Sequence, residues 1–89
     1  GVIGMIEEFK KGGFTLYAGR WPIAPAVGPI RSDGSVLDEK GVLRFQVIDD
    51  ELYAANSLLV GKIDSVGKEW IVADEKNNIL YSFRRDIGS

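Results

Sequence analysis

The stretch Val36-Leu37-Asp38-Glu39-Lys40-Gly41-Val42-Leu43-Arg44-Phe45-Gln46-Val47 decides the fold. Two apolar runs flank four polar residues, and the last of the four is glycine, which enters the φ > 0 region at no steric cost. That pattern is a β-hairpin with a four-residue loop. Within the second run, Leu43, Phe45 and Val47 alternate with Arg44 and Gln46. The spacing predicts a strand with one dry and one wet face, hence antiparallel pairing.

Working outward, the same grammar continues downstream. Asp49-Asp50-Glu51 turns the chain into Leu52-Tyr53-Ala54-Ala55, and Leu58-Leu59-Val60-Gly61-Lys62-Ile63 follows. Ser65-Val66-Gly67-Lys68 turns it again. Trp70-Ile71-Val72-Ala73 and Ile79-Leu80-Tyr81-Ser82-Phe83 are joined by Asp74-Glu75-Lys76-Asn77-Asn78, where an asparagine supplies the left-handed residue that Gly41 supplies earlier. Ile79, Tyr81 and Phe83 are expected on the dry face, with Ser82 and Arg84 opposite. Phe45, Trp70, Tyr81 and Phe83 are the expected core aromatics. A slip of one residue would bury Arg44 and Arg84, so the register is well specified.

Val36-Leu37-Asp38-Glu39-Lys40 is echoed by Val72-Ala73-Asp74-Glu75-Lys76, each followed by an apolar strand. Two copies fall short of the three or more that a solenoid requires. Convergence on hairpin chemistry is the favoured account, and a duplicated hairpin with pseudo-symmetry is the other.

Upstream, residues 14–21 alternate as a first strand. Residues 21–30, Trp21-Pro22-Ile23-Ala24-Pro25-Ala26-Val27-Gly28-Pro29-Ile30, carry all 3 prolines and no charge. Each proline fixes φ and removes a backbone donor, so this segment is not a central strand. It reads as an extended crossing. Residues 2–11 are the helix candidate: Val2, Ile6 and Phe9, with Ile3 or Met5, lie three and four apart, and Gly12-Gly13 ends the run. A helix this short needs something to dock on, either an open end of the chain's own sheet or a partner or membrane surface.

The expected architecture is one domain over residues 1–89: all-β with a short N-terminal helix. A meander of five to six short strands over residues 36–84 is expected to form a small SH3-like or partly open barrel. At 89 residues, such a chain builds one core and little private cavity.

Composition narrows the function. The chain has no cysteine and no histidine. This removes thiolate chemistry, disulfides and zinc–sulfur sites, together with the usual general base and the commonest metal ligand. The serines lack a histidine partner and a nucleophile elbow. Asp38-Glu39, Asp49-Asp50-Glu51 and Asp74-Glu75 all fall in turns, where acidic residues serve turn geometry and solubility. No enzyme activity, cofactor or metal is expected.

A net charge of −2 opposes phosphate binding, and alternation sets Tyr81 and Phe83 opposite Arg84, so no nucleic acid is expected. No run approaches the length of a transmembrane span. Gly1-Val2-Ile3-Gly4-Met5-Ile6 is too short and too soon charged for an intact signal peptide. With the lack of cysteine, this leans toward a cytoplasmic chain.

The leading expectation is a non-catalytic protein-interaction or structural module, with a protein partner or a homo-oligomer. A small-ligand or lipid-binding barrel is the alternative. For the uncharged crossing, the favoured account is that Trp21 and Ile23 tuck into the core while the prolines stiffen the chain. The other is that it supplies contact residues, with Trp21, Ile23, Val27 and Ile30 as an apolar strip and Arg20 and Arg31 as its charged rim.

Overall fold

Four of the chain's hairpins are built on one plan. In each, the N–H of the residue that opens the turn donates to the carbonyl four residues on, and its own carbonyl accepts from the N–H three residues on. The pairs are Arg31–Ser35 with Gly34, Asp38–Val42 with Gly41, Ala54–Leu58 with Ser57, and Asp74–Asn78 with Asn77. The fourth residue of every turn sits at positive φ: Gly34 at 89°, Gly41 at 79°, Ser57 at 71° and Asn77 at 66°. Only two of the four contain Asp-Glu-Lys. The Ala54 turn reaches the same geometry without it, which favours convergence as the origin of the echo.

The computed structural model describes residues 7–86. It is nearly all antiparallel β: β1 (Phe14–Tyr17), β2 (Ala26–Pro29), β3 (Ser35–Leu37), β4 (Leu43–Ile48), β5 (Glu51–Ala54), β6 (Leu59–Val66), β7 (Glu69–Ala73) and β8 (Ile79–Arg85). These eight strands exceed the expected five to six. The crossing yields the short edge strand β2, and the turn Ser32-Asp33-Gly34 joins it to β3. Proline is tolerated in β2 because this strand ends the sheet order, where a missing N–H removes no ladder bond.

Each strand from β3 to β8 pairs with its sequence neighbours, and β1 pairs with both β2 and β8. The sheet curls until β2 meets β3 through the Ile30–Val36 bridge, giving a nearly closed barrel.

The faces depart from simple alternation at one kind of place. Val36 pairs with Phe45 but Leu37 pairs with Leu43, so Arg44 is an extra, bulged residue. Val72–Tyr81 and Ala73–Ile79 leave Leu80 extra in the same way, and Leu52–Gly61 and Tyr53–Leu59 leave Val60. A bulge re-aims the side chains beyond it. Leu43, expected inside with Phe45 and Val47, therefore lies on the outer surface, 39% exposed.

Inside, Leu16, Val36, Leu52, Val72 and Phe83 are fully buried, with Phe14, Ile30, Phe45, Val47 and Ile63 beside them. Trp70 and Tyr81 are half-buried against this core rather than within it. Of the helix expected over residues 2–11, Glu7–Lys10 forms α1, and residues 1–6 lie outside the described residues. Phe9 from α1 is fully buried, its ring 4.7 Å from Phe83, 5.1 Å from Phe14 and 5.6 Å from Trp70. The docking partner of this helical turn is the end of the chain's own barrel.

Candidate functional site

The connection between β1 and β2, residues 18–25, begins as a sequence problem: it is apolar, proline-rich and too long for a tight turn. The fold solves it by laying the loop back over the outer faces of β7 and β8. Ala18 N–H donates to the Pro25 carbonyl at 2.9 Å and closes the base, and Ala24 N–H donates to the Arg20 carbonyl at 3.1 Å and shapes the tip. Gly19, at φ 133°, is packed so tightly that a Cβ there would lie 3.0 Å from the Ala24 methyl.

The underside of the loop is fastened to the barrel. Ser82 Oγ donates to the Gly19 carbonyl at 2.6 Å. The Arg84 guanidinium stacks over the Trp21 ring, 3.8 Å from its centroid. Glu69, mostly buried, faces Arg20 at 3.8 Å and Arg84 at 4.0 Å. Its Oε1 is buried and takes no hydrogen bond among the described residues, so these two cations answer its charge. The stack Trp21–Arg84–Glu69 is thus a brace on the outside of the sheet. Two expectations change here. Ser82, expected on the wet face, is fully buried because the loop covers it. Trp21 is half-buried, neither a core residue nor a free apolar anchor.

What remains open on the loop is its tip. Ile23 is 94% exposed, the most exposed of the large hydrophobic side chains described, with Pro22 and Pro25 exposed on either side. Of the six candidate contact residues, the structure brings Arg20, Trp21 and Ile23 together. Ile30 is a correction: it is buried in the core, its N–H donating to the Phe14 carbonyl at 3.0 Å, so its side chain is closed to a partner. Val27 is half-buried against the same core. Arg31 is exposed but sits at the other end of β2, in the turn to β3. The strip expected over residues 21–30 is split at Val27 by the return of the chain into the sheet.

Sequence reading missed Ser82, Glu69 and Arg84 as the loop's seat. Alternation correctly set Ser82 and Arg84 opposite Phe83. Nothing local showed that a loop 63 residues away in sequence would lie on that face.

Elsewhere on the surface are open grooves. One of about 660 Å³ runs between β2 and the Asp38–Val42 turn, and one of about 320 Å³ lies on the outer face of β4 and β5. Among the described residues, no group of three or more acidic side chains is placed to hold a metal ion, and no helix is long and apolar enough to cross a membrane.

The fold and the loop together define a class, a small eight-stranded meander barrel with a braced apolar loop on its wall. No protein-family model, curated protein or solved structure matches the chain.

Proposed function

We propose that this protein is a non-catalytic contact module whose binding element is the β1–β2 loop, with Ile23 as the apolar knob and Arg20 beside it as a charged rim. One observation carries the reading: a large aliphatic side chain stands 94% exposed at the tip of a loop that the fold fastens from beneath. A loop held in one shape gives up little entropy on binding, so more of the contact energy is retained. Burying an isoleucine on a partner contributes about 1.5–3 kcal/mol. The alternative of a ligand in the barrel mouth has less support, because Leu16, Leu52, Val72 and Phe83 fill the interior.

The test separates contact from folding. Ile23→Asp changes an exposed side chain and is expected to alter stability by less than about 0.5 kcal/mol. In capture from the source cell with the full chain as bait, the variant is expected to lose proteins that wild type retains. An identical set of captured proteins overturns the reading.

A further inference from the structure

The apolar surface is not spread evenly. Ile48 and Leu43 from β4, Tyr53 from β5 and Ala55 from the next turn line the groove of about 320 Å³, with Gln46 along one side. Leu59 pairs beside Tyr53, and Leu58 adjoins it in the turn. Leu43, Ile48, Leu58 and Leu59 are 39%, 50%, 66% and 55% exposed. Contiguous apolar ground of this kind marks an interaction surface. Its position matters as much. The Ile23 loop lies over β7 and β8, and β4 stands four strands from β8 in the sheet order. The groove on β4 and β5 and the loop on β7 and β8 have β6 between them, so the groove and the knob face different directions around the barrel.

The charges on the two walls are opposite. At the loop, the two cations Arg20 and Arg84 share the single carboxylate of Glu69, which leaves this wall net positive. At the end of the groove, Ile48 leads into Asp49 and Asp50 and pairs with Glu51, and Lys62 at 3.8 Å from Asp50 is the nearby cation. A basic-rimmed aliphatic knob and an acidic-rimmed aliphatic groove are complementary in both shape and sign.

We infer that the occupant of the groove is the Ile23 loop of a second copy of this chain, docked head to tail. The inference rests on the contact-module reading and names its partner. Because knob and groove are separate surfaces that face different directions, one molecule using both extends the assembly rather than closing a two-fold dimer. The charged rims make the association weaken as salt rises.

Sedimentation velocity over a concentration series, at low and at high salt, tests this directly. Wild type is expected to associate with concentration, less so in high salt. Ile23→Asp and Ile48→Asp are each expected to weaken association about tenfold or more. An equimolar mixture of the two variants is expected to restore dimers and no larger species, since one keeps its groove and the other its knob. Groove-to-groove pairing would instead leave Ile23→Asp unaffected, and would overturn the proposal.

The absence of native cysteine permits a second measurement that does not depend on either charged variant folding. Ile23→Cys protein mixed with Ala55→Cys protein should form mixed disulfide dimers well above the statistical share. A statistical mixture, or a wild type that stays monomeric throughout the series, overturns self-association. If that monomer still captures another protein through Ile23, the contact-module reading survives on its own. If it captures none, both fall.

Discussion

Asp38 and Asp74 perform the same task with the same atoms. Asp38 Oδ1 accepts from the Val42 N–H at 3.0 Å and the Lys40 N–H at 2.9 Å, and Asp74 Oδ1 accepts from the Asn78 and Lys76 N–H groups, both at 2.9 Å. These bonds favour the ionised carboxylate. The Val42 N–H foremost lowers the pKa of Asp38 from its ordinary 3.8, and the Asn78 N–H foremost lowers that of Asp74. The Ser35 hydroxyl lowers that of Asp33. A carboxyl group with a depressed folded pKa contributes stability that is complete above its unfolded pKa and is lost as pH falls through the folded value. The urea midpoint is therefore expected to fall on acidification below 3.8, the ordinary aspartate value. Asp38→Asn with Asp74→Asn keeps the acceptor oxygens and removes the titration, so the acid slope should flatten. An unchanged slope in the double variant would mean that these carboxylates do not govern acid sensitivity.

At the scale of elements, the hairpins were legible and the bulges were not. A glycine or asparagine after Asp-Glu-Lys carries a backbone requirement, and Gly41 and Asn77 meet it at φ 79° and 66°. A bulge at Arg44 or Leu80 has no residue signature. It follows from matching a five-residue turn to the curvature of a barrel, so Leu43 could be placed only by the structure. Ser57 illustrates the same limit, since a serine at φ 71° is held there by the ladder on either side. The two sites respond to substitution with opposite signs. Gly41→Ala forces a Cβ into the left-handed region and is expected to cost about 1–2 kcal/mol, although no atom lies within 4 Å to clash with it. Ser57→Gly relieves the same strain and is expected to raise the urea midpoint. A lower midpoint for Ser57→Gly would mean that its side chain matters more than its backbone.

At the scale of the molecule, the loop and the closure belong to one event that local patterning does not record. Residues 18–25 can lie over β8 only because β1 has already brought them there, and β1 pairs with β8 across most of the chain: Leu16 with Phe83, and Tyr17 with Ser82. The proline-rich crossing was legible as something other than a central strand. Its division into brace, knob and edge strand depends on that long-range pairing.

The closure has one contact on which it can be tested. Where β2 passes β3, a Cβ on Gly28 would stand 2.1 Å from the Leu37 carbonyl oxygen, a backbone atom that cannot rotate away. Neither strand is free to retreat. β2 is held on one side by Leu16 and by the Ile30–Phe14 hydrogen bond, and β3 is held by Gln46 and Phe45. The φ of Gly28 is not in the left-handed region, so backbone strain does not enter. At a site with room, Gly→Ala at a tolerated φ stabilises by about 0.4–1 kcal/mol, through the entropy of the unfolded chain. At a closed seam it costs about 1–3 kcal/mol or more, as overpacking does. The sign of the effect alone therefore decides between an open sheet and a nearly closed barrel. A lower urea midpoint for Gly28→Ala is expected, and a midpoint raised above wild type would mean that the seam between β2 and β3 stands open in solution.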